Sequence, residues 1–504
     1  MKFSGAAGSF LQLTSANVAT KITGLIAFGV FTRVLSTADL AFLPVYGMLT
    51  ALSYVIFGFG LQPTLIRSLP GLLESDLPSA GRLIRMTTQI LLVGTTIFGI
   101  GVYFIATPLA ERLLGSASYA SLIRLTAVGS CCFAWRNICH YLLWSAARFD
   151  KIAIVRAGAA FGRTTLGVTG LLTGGIEGLA LGLVVNDALA FVLALVYSRD
   201  LLRIAPGPGQ SHGKLIRESM PFYFESYLTY LRNQGDDWIV ATMLGPAAMG
   251  VYFVAKRFPT MLMMFVESFD KIVTTQLSRR RDDHEAIRGS VDELVSLLVT
   301  VAVPGIFMIM GLLPMLIEVV AGPGFEAAVL PGMILCMMQL VRILAVPLSR
   351  GVFVTNPPMT RVVITTIESA FLIASLVLLV PLIAEPGVAL SRFVAALAMA
   401  VCSFIVLHRT SKVRFPWGRM AVSTLLSAAM AATVLAGVLT IDSNAFSPLV
   451  ALAGLIVFLL LTWMFQADAF ITALEKALPM GLPGPLKRFA ERRRRADTGS
   501  GDPS

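Results

Sequence analysis

Apolar stretches of about twenty residues recur along almost the whole of this 504-residue chain, and the connections between them are basic, then poor in Lys and Arg, then basic again. A helix of about 20 residues spans the roughly 30 Å hydrocarbon core of a bilayer, and short cytoplasmic loops collect Lys and Arg. The pattern therefore predicts an all-α polytopic membrane protein together with its orientation. Composition agrees, with 56% hydrophobic and 14% charged residues and a mean hydropathy of +0.79, against roughly 25% charged in a soluble domain. A soluble fold could not hide so much apolar surface.

Spans are expected at residues 11–32, 40–60, 83–107, 119–144, 152–173, 178–198, 220–243, 247–267, 290–313, 327–349, 360–384, 387–408, 419–440 and 447–465, about 14 transmembrane helices in all. The even-numbered connections carry Arg67, Arg82 and Arg85, then Arg148 and Lys151, then Arg199, Arg203, Lys214 and Arg217, and so on to Arg409, Lys412, Arg414 and Arg419. The odd-numbered ones carry mainly Glu177, Glu318, Glu326, Glu385 and Asp442. Both termini are then expected in the cytoplasm, with the protein in the inner membrane. Asn17 and Lys21 interrupt any clean signal-peptide core, so no removable leader is expected. The net charge of +11 sits largely in the inside loops and in the tail Arg492 to Arg495, which suits anionic lipid and implies no nucleic acid. Cys131, Cys132, Cys139, Cys336 and Cys402 all fall in apolar segments without a CxxC, so no metal site or disulfide framework is expected.

The sequence also repeats. A shift of about 209 residues lays VLSTADLAFLPVYGMLTAL, from Val34, over MLGPAAMGVYFVAKRFPTM, from Met243, and a slightly smaller shift lays Arg136 over Arg342. Six spans separate the copies, so they share orientation, which predicts two six-helix lobes related by a pseudo-twofold along the membrane normal, plus two extra C-terminal helices. The expected organisation is an N-terminal lobe at 1–200, a cytoplasmic linker at 201–218, a C-terminal lobe at 219–410, extra spans at 411–466 and a basic cytoplasmic tail at 467–504.

No ATP-binding phosphate loop, HExxH or nucleophile elbow is present, and no connection is long enough for a soluble catalytic domain, so neither catalytic residues nor a cofactor are expected. The chemistry must lie among the spans, where an ionisable residue costs about 2.5–3.5 kcal/mol at the bilayer centre and normally faces a cavity or a partner. In span one, Thr14, Asn17, Lys21 and Gly24 form one stripe at helical spacing; in span seven, Glu225, Thr229, Arg232 and Asp236 do the same. Span four offers Arg124, Arg136 and His140, span ten Arg342 and span eleven Glu368. Arg33, Arg156, Lys256, Arg361 and Arg392 lie close enough to span ends to reach water along their stems. Glu225, Arg232 and Asp236 could neutralise one another along their helix, and His140 could be a neutral packing residue. Cations outnumber acids in the spans, which suits an anionic substrate, since guanidinium grips phosphate oxygens bidentately.

RVLSTADLAFLPVYGMLTAL, from Arg33, followed by GFGLQPTLIRSLP, from Gly58, resembles the N-terminal signature of Wzx-type polysaccharide flippases of the multidrug/oligosaccharidyl-lipid/polysaccharide (MOP) superfamily. The stretches from Ala146 (AARFDKIAIVRAGAAFGRTTLG) and from Gly235 (GDDWIVATMLGPAAMGVYFVAKRF) are similar to later helix regions of that family, and the likeness covers about residues 5–410. The resemblance implies two six-helix lobes around a central cavity lined by spans one and seven, alternating access, and transfer of an undecaprenyl-pyrophosphate-linked oligosaccharide to the outer leaflet. In that reading Asn17, Lys21, Arg124, Arg136, His140, Arg232 and Arg342 are the candidate substrate contacts, and Glu225, Asp236 and Glu368 are candidates for ion coupling. Partners would be membrane lipids and polysaccharide polymerase or assembly proteins. Fourteen spans rather than the commoner twelve is a departure shared with lipid II flippases of the same superfamily. A MATE-like exporter of small cations should need an acidic interior. A glycan polymerase or ligase should need a large outside loop, and a scaffold would leave the buried charge unexplained.

Overall fold

The computed structural model describes residues 23–207, 212–261, 284–413 and 415–440, together with positions 453 and 456. Every regular element among them is helical. Among the described residues eight helices are long and apolar enough to cross a membrane. Two of these are 54 residues each, α8 (Phe149–Leu202) and α13 (Pro358–Ser411). At 1.5 Å per residue such a helix would run about 80 Å, far more than a bilayer. Each is in fact folded back on itself.

In α8 the reversal is at Gly174–Gly175, where Gly175 takes φ 61 and ψ −148, a region essentially open only to glycine. On either side the two limbs touch in antiparallel register. A Cβ on Gly170 would collide with the Gly178 carbonyl, one on Gly182 with the Leu166 carbonyl, and one on Gly162 with the Asn186 amide. Small residues at four-residue spacing let the two backbones approach, which is how helices pack tightly where there is no water to drive them together. In α13 the reversal is at Ile383–Ala384, with Ala384 at φ 49 despite its Cβ. There Gly387 lies against the Leu379 carbonyl, and Ser375 Oγ donates to the Ser391 carbonyl at 3.4 Å.

These two hairpins are one motif repeated at the same offset of 209 residues, and the offset holds more widely. The short 3₁₀ turns Ala117–Tyr119 and Glu326–Ala328 are related by it, as are the starts of α7 (Ala120–Ser145) and α12 (Val329–Thr355) and both ends of α8 and α13. The repeat read from the sequence is therefore present in the helix boundaries. With this register Arg136 corresponds to Ala345 rather than to Arg342, so the two arginines differ by three residues, just under one turn.

Of the remaining helices, α2 (Thr37–Leu40) precedes the second expected span, and α1 (Thr23–Val34), α3 (Phe42–Ile56), α5 (Leu77–Phe104), α9 (His212–Ile239), α10 (Pro246–Arg257), α11 (His284–Ala321) and α14 (Trp417–Thr440) fall on the described parts of expected spans. The span expected at 447–465 lies outside the described residues except for its two isolated positions. Among the described residues three helices stand where connections were expected: the short α2 and the longer α4 (Leu61–Ser75) and α6 (Ala106–Leu114). In α4 the buried residues are Leu61, Leu65 and Leu69, four apart, so one stripe packs inward while Arg67 and Ser68 face out. A helix with one apolar stripe and a polar back is too short and too polar to span, which is why hydropathy alone passes over it.

By tertiary contact the chain divides into two compact units. The first comprises Met1–Arg257, Val320–Pro331 and Thr365–Arg392. The second comprises Phe258–Val319, Gly332–Ile364 and Phe393–Ser504. They differ in what they bury. In the second unit Val291, Val295, Val299, Val303, Leu340, Leu344 and Leu407 belong to a continuous apolar core, and its buried polar side chains are uncharged, such as Thr300, Ser403 and Ser423. The first unit buries Asp187, Asp236, Asp237, Glu368 and Arg392. Among the described residues, fully buried charge is confined to that unit.

Candidate functional site

Within the first unit the buried charges gather in three groups. The first forms where α3, α7 and the second limb of α8 meet. Tyr46 Oη donates to Asp187 Oδ2 at 2.7 Å, and Arg136 Nη1 donates to Asp187 Oδ1 at 2.9 Å. Tyr46 can reach across only because position 129 on α7 is glycine, whose Cβ would overlap the phenol oxygen. The Arg136 guanidinium also lies over the Phe133 ring, 4.7 Å from its centroid, and its side chain is 17% exposed. It is thus held by its acid yet keeps an open face. One turn along α7, His140 Nε2 sits 3.2 Å from Arg156 Nη2. Since a guanidinium only donates, His140 accepts there as a neutral ring.

The second group is built by a reversal of the chain. A π-helical turn, Val240–Leu244, ends α9, and Gly245 at φ 87 starts the chain back into α10. That brings Tyr252 and Lys256 to the adjacent acids Asp236 and Asp237. Tyr252 Oη donates to Asp236 Oδ2 at 2.8 Å, Lys256 Nζ to the same oxygen at 3.0 Å and to Asp237 Oδ1 at 2.7 Å. Arg392, from the second limb of the α13 hairpin, donates to Asp236 Oδ2 at 2.6 Å. Two carboxylates and two cations sum to no net charge, which is the condition under which such groups persist in a low-dielectric interior. The third group is Arg232 Nη1 with Glu368 Oε2 at 3.4 Å, Glu368 being 1% exposed.

Several sequence expectations change here. Lys256 and Arg392 do not reach for water along their stems; both point inward to Asp236, because depth along a helix says nothing about which face a residue occupies. Arg232 and Asp236 are not neutralised along α9 but across to α13 and α10. Asp187 was not singled out, although an aspartate in the middle of an apolar span carries the same signal that identified Arg136. Arg124 lies in the first turns of α7, exposed and 5.7 Å from the Tyr103 ring centroid. Glu225 is half-buried on α9, and Arg342 is half-buried on α12 in the second unit. Asn17 and Lys21 lie outside the described residues.

The phenol of Tyr46 tests the first group directly. Tyr46→Phe keeps the packing and removes one of two donors to a buried carboxylate, so thermal unfolding in detergent should show a loss of about 1–3 kcal/mol. An unchanged transition would mean that Asp187 is satisfied by Arg136 alone.

A family model described as polysaccharide biosynthesis protein matches residues 30–330. Among solved structures, the lipid II flippase MurJ in an inward closed conformation is similar with a TM-score of 0.74 at 14% identity, covering 91% of this chain and 100% of that one. An inward-facing multidrug resistance MATE family transporter of the MOP superfamily matches with a TM-score of 0.60 at 14% identity, over 78% and 94% of the two chains. A MOP superfamily transporter from Pyrococcus furiosus matches at 0.56 and 12% identity, over 80% and 94%. No curated protein matches by sequence. At these identities the structural likeness concerns the fold, which is that of MOP superfamily transporters.

Proposed function

We propose, since the chain belongs to the polysaccharide biosynthesis protein family and has the MOP transporter fold, that it is a Wzx-type flippase carrying a polyprenyl-pyrophosphate-linked oligosaccharide from the inner to the outer leaflet of the cytoplasmic membrane. The physical problem for such a cargo is its headgroup. A pyrophosphate and a run of sugar hydroxyls lose their hydration in hydrocarbon, at several kcal/mol for each unsatisfied polar group. Donors fixed at membrane depth replace that water.

The observation that carries the reading is the state of Arg136. Asp187, itself fixed by the Tyr46 hydroxyl, holds it in place, yet takes only one of its nitrogens, leaving further N–H donors on a partly exposed guanidinium for phosphate oxygens. Asp187 is then a positioning residue, and the polyprenyl chain would stay in lipid while the headgroup is held. The acids Asp236 and Glu368 are each engaged by cations, which supports a balancing role for them ahead of ion coupling. The runner-up cargo is lipid II, favoured by the likeness to a lipid II flippase; it presents the same pyrophosphate, so Arg136 serves either cargo.

Arg136→Ala, reconstituted in proteoliposomes, should translocate lipid-linked oligosaccharide about 10–100-fold more slowly, the loss expected for a hydrogen bond to a charged group worth about 1.5–3 kcal/mol. Arg136→Lys should recover part of the rate. Normal insertion with wild-type translocation by Arg136→Ala would overturn the assignment. Arg342→Ala is tested separately in the same assay, and lipid II supplied as the alternative cargo decides between the two.

A further inference from the structure

The residues that follow α8 form a strap on α5. Gly207 donates its backbone N–H to the Pro78 carbonyl at 2.8 Å, and Arg82 Nη1 donates to the Gly207 carbonyl at 2.8 Å. Gly81 makes the approach possible, since a Cβ there would lie 2.7 Å from the Ile204 carbonyl oxygen. Between the strap and α5 is a cavity of about 330 Å³ whose lining includes Arg85, Thr88, Gln89, Arg203 and Ile204. No acidic residue lines it. Neither Arg85 nor Arg203 has a carboxylate partner among the described residues, and Thr88 Oγ1 is buried with no hydrogen-bond partner.

Two guanidiniums and an unused hydroxyl around one small cavity suit a phosphate group. The helix face above the cavity says what that phosphate is attached to. Arg85 and Gln89 begin a row at four-residue spacing that continues through Val93, Ile97 and Ile100 to Phe104, which are 59%, 56%, 54% and 79% exposed. At 1.5 Å per residue its apolar part, Val93 to Phe104, is about 16 Å long, about half the roughly 30 Å hydrocarbon core and so the depth of one leaflet. A soluble anion would have no use for it; an acyl chain would.

We propose that the cavity between α5 and the strap is a binding site for an anionic phospholipid, its phosphate held by Arg85, Arg203 and Thr88 and its acyl chain laid along Val93, Ile97 and Ile100. In the orientation that the basic connections predict, the site faces the cytoplasmic leaflet. It is independent of the cargo reading.

Native mass spectrometry of the detergent-solubilised full chain, titrated with phosphatidylglycerol or with phosphatidylcholine, tests it. Wild-type protein should retain phosphatidylglycerol in preference to phosphatidylcholine. The Arg85→Gln/Arg203→Gln variant should bind phosphatidylglycerol about tenfold more weakly, while Arg112→Gln, an exposed arginine on α6, should bind as wild type. Arg203→Glu, a reversal on one exposed side chain, gives the same reading independently. Equal retention of phosphatidylglycerol by the double variant, or equal retention of the two lipids by wild type, would overturn the proposal. Displacement of phosphatidylglycerol by millimolar inorganic phosphate would assign the cavity to a soluble anion instead and overturn the lipid assignment.

Discussion

Replacing Asp236 by alanine is expected to destabilise the protein by about 3–5 kcal/mol, the cost of stranding buried charge. The carboxylate is fully buried and accepts from Arg392, Lys256 and Tyr252 on a single oxygen. Without it Arg392, 7% exposed, loses its carboxylate partner, and Lys256 keeps only Asp237. Asp237→Ala should cost less, because Lys256 then retains Asp236. If the loss comes from stranded charge rather than from a lost contact, Asp236→Ala combined with Arg392→Met should recover part of it, as buried ion pairs replaced together by apolar groups are often neutral. Thermal unfolding in detergent measures all three variants. A wild-type transition for Asp236→Ala, or a double variant worse than the sum of its singles, would refute this account of the group.

The second large effect lies in a hairpin rather than a charge. Gly170→Val should prevent the two limbs of α8 from closing, since even the first carbon of the side chain would overlap the Gly178 carbonyl. Overpacking of a tight contact costs about 1–3 kcal/mol, and more where the obstacle is backbone that cannot move aside. The second limb carries Asp187, so separation of the limbs should also release Arg136 and lower transport along with stability. Gly174→Ala is the control: nothing lies within 4 Å of a Cβ there and its φ is −133. If Gly170→Val runs as a monodisperse, wild-type-stable protein while Gly174→Ala does not, the packing argument fails.

Hydropathy revealed the spans because the bilayer imposes a length and an all-round apolarity that a sequence cannot disguise. The reversal at Gly174–Gly175 falls in the gap between the spans expected at 152–173 and 178–198, while that at Ile383–Ala384 falls at the end of the span expected at 360–384. Helices α4 and α6 were not visible, since an interfacial or connecting helix needs only one apolar stripe. The site was half legible. Arg136, Arg232, Asp236 and Glu368 announced themselves as charge where charge is costly, but their partners did not, because pairing is a property of helix faces brought together from residues 16 to 156 positions apart. The same reason explains Lys256 and Arg392: closeness to a span end in sequence was mistaken for closeness to water. Asp187 carries the same signal, an acid within an apolar span, and its pairing makes Arg136 one half of a fixed pair rather than a lone cation.

The constancy of the 209-residue offset bears on how the two copies differ. From the 3₁₀ turn at Ala117–Tyr119 and its counterpart at Glu326–Ala328 to the last residues of the two 54-residue helices, the copies keep step, so neither has gained or lost net length in the turns between. Within this stretch the two copies differ by side-chain substitutions on helices of fixed length, so residues 209 apart can be compared directly, asking where one copy holds a charge that the other has given up.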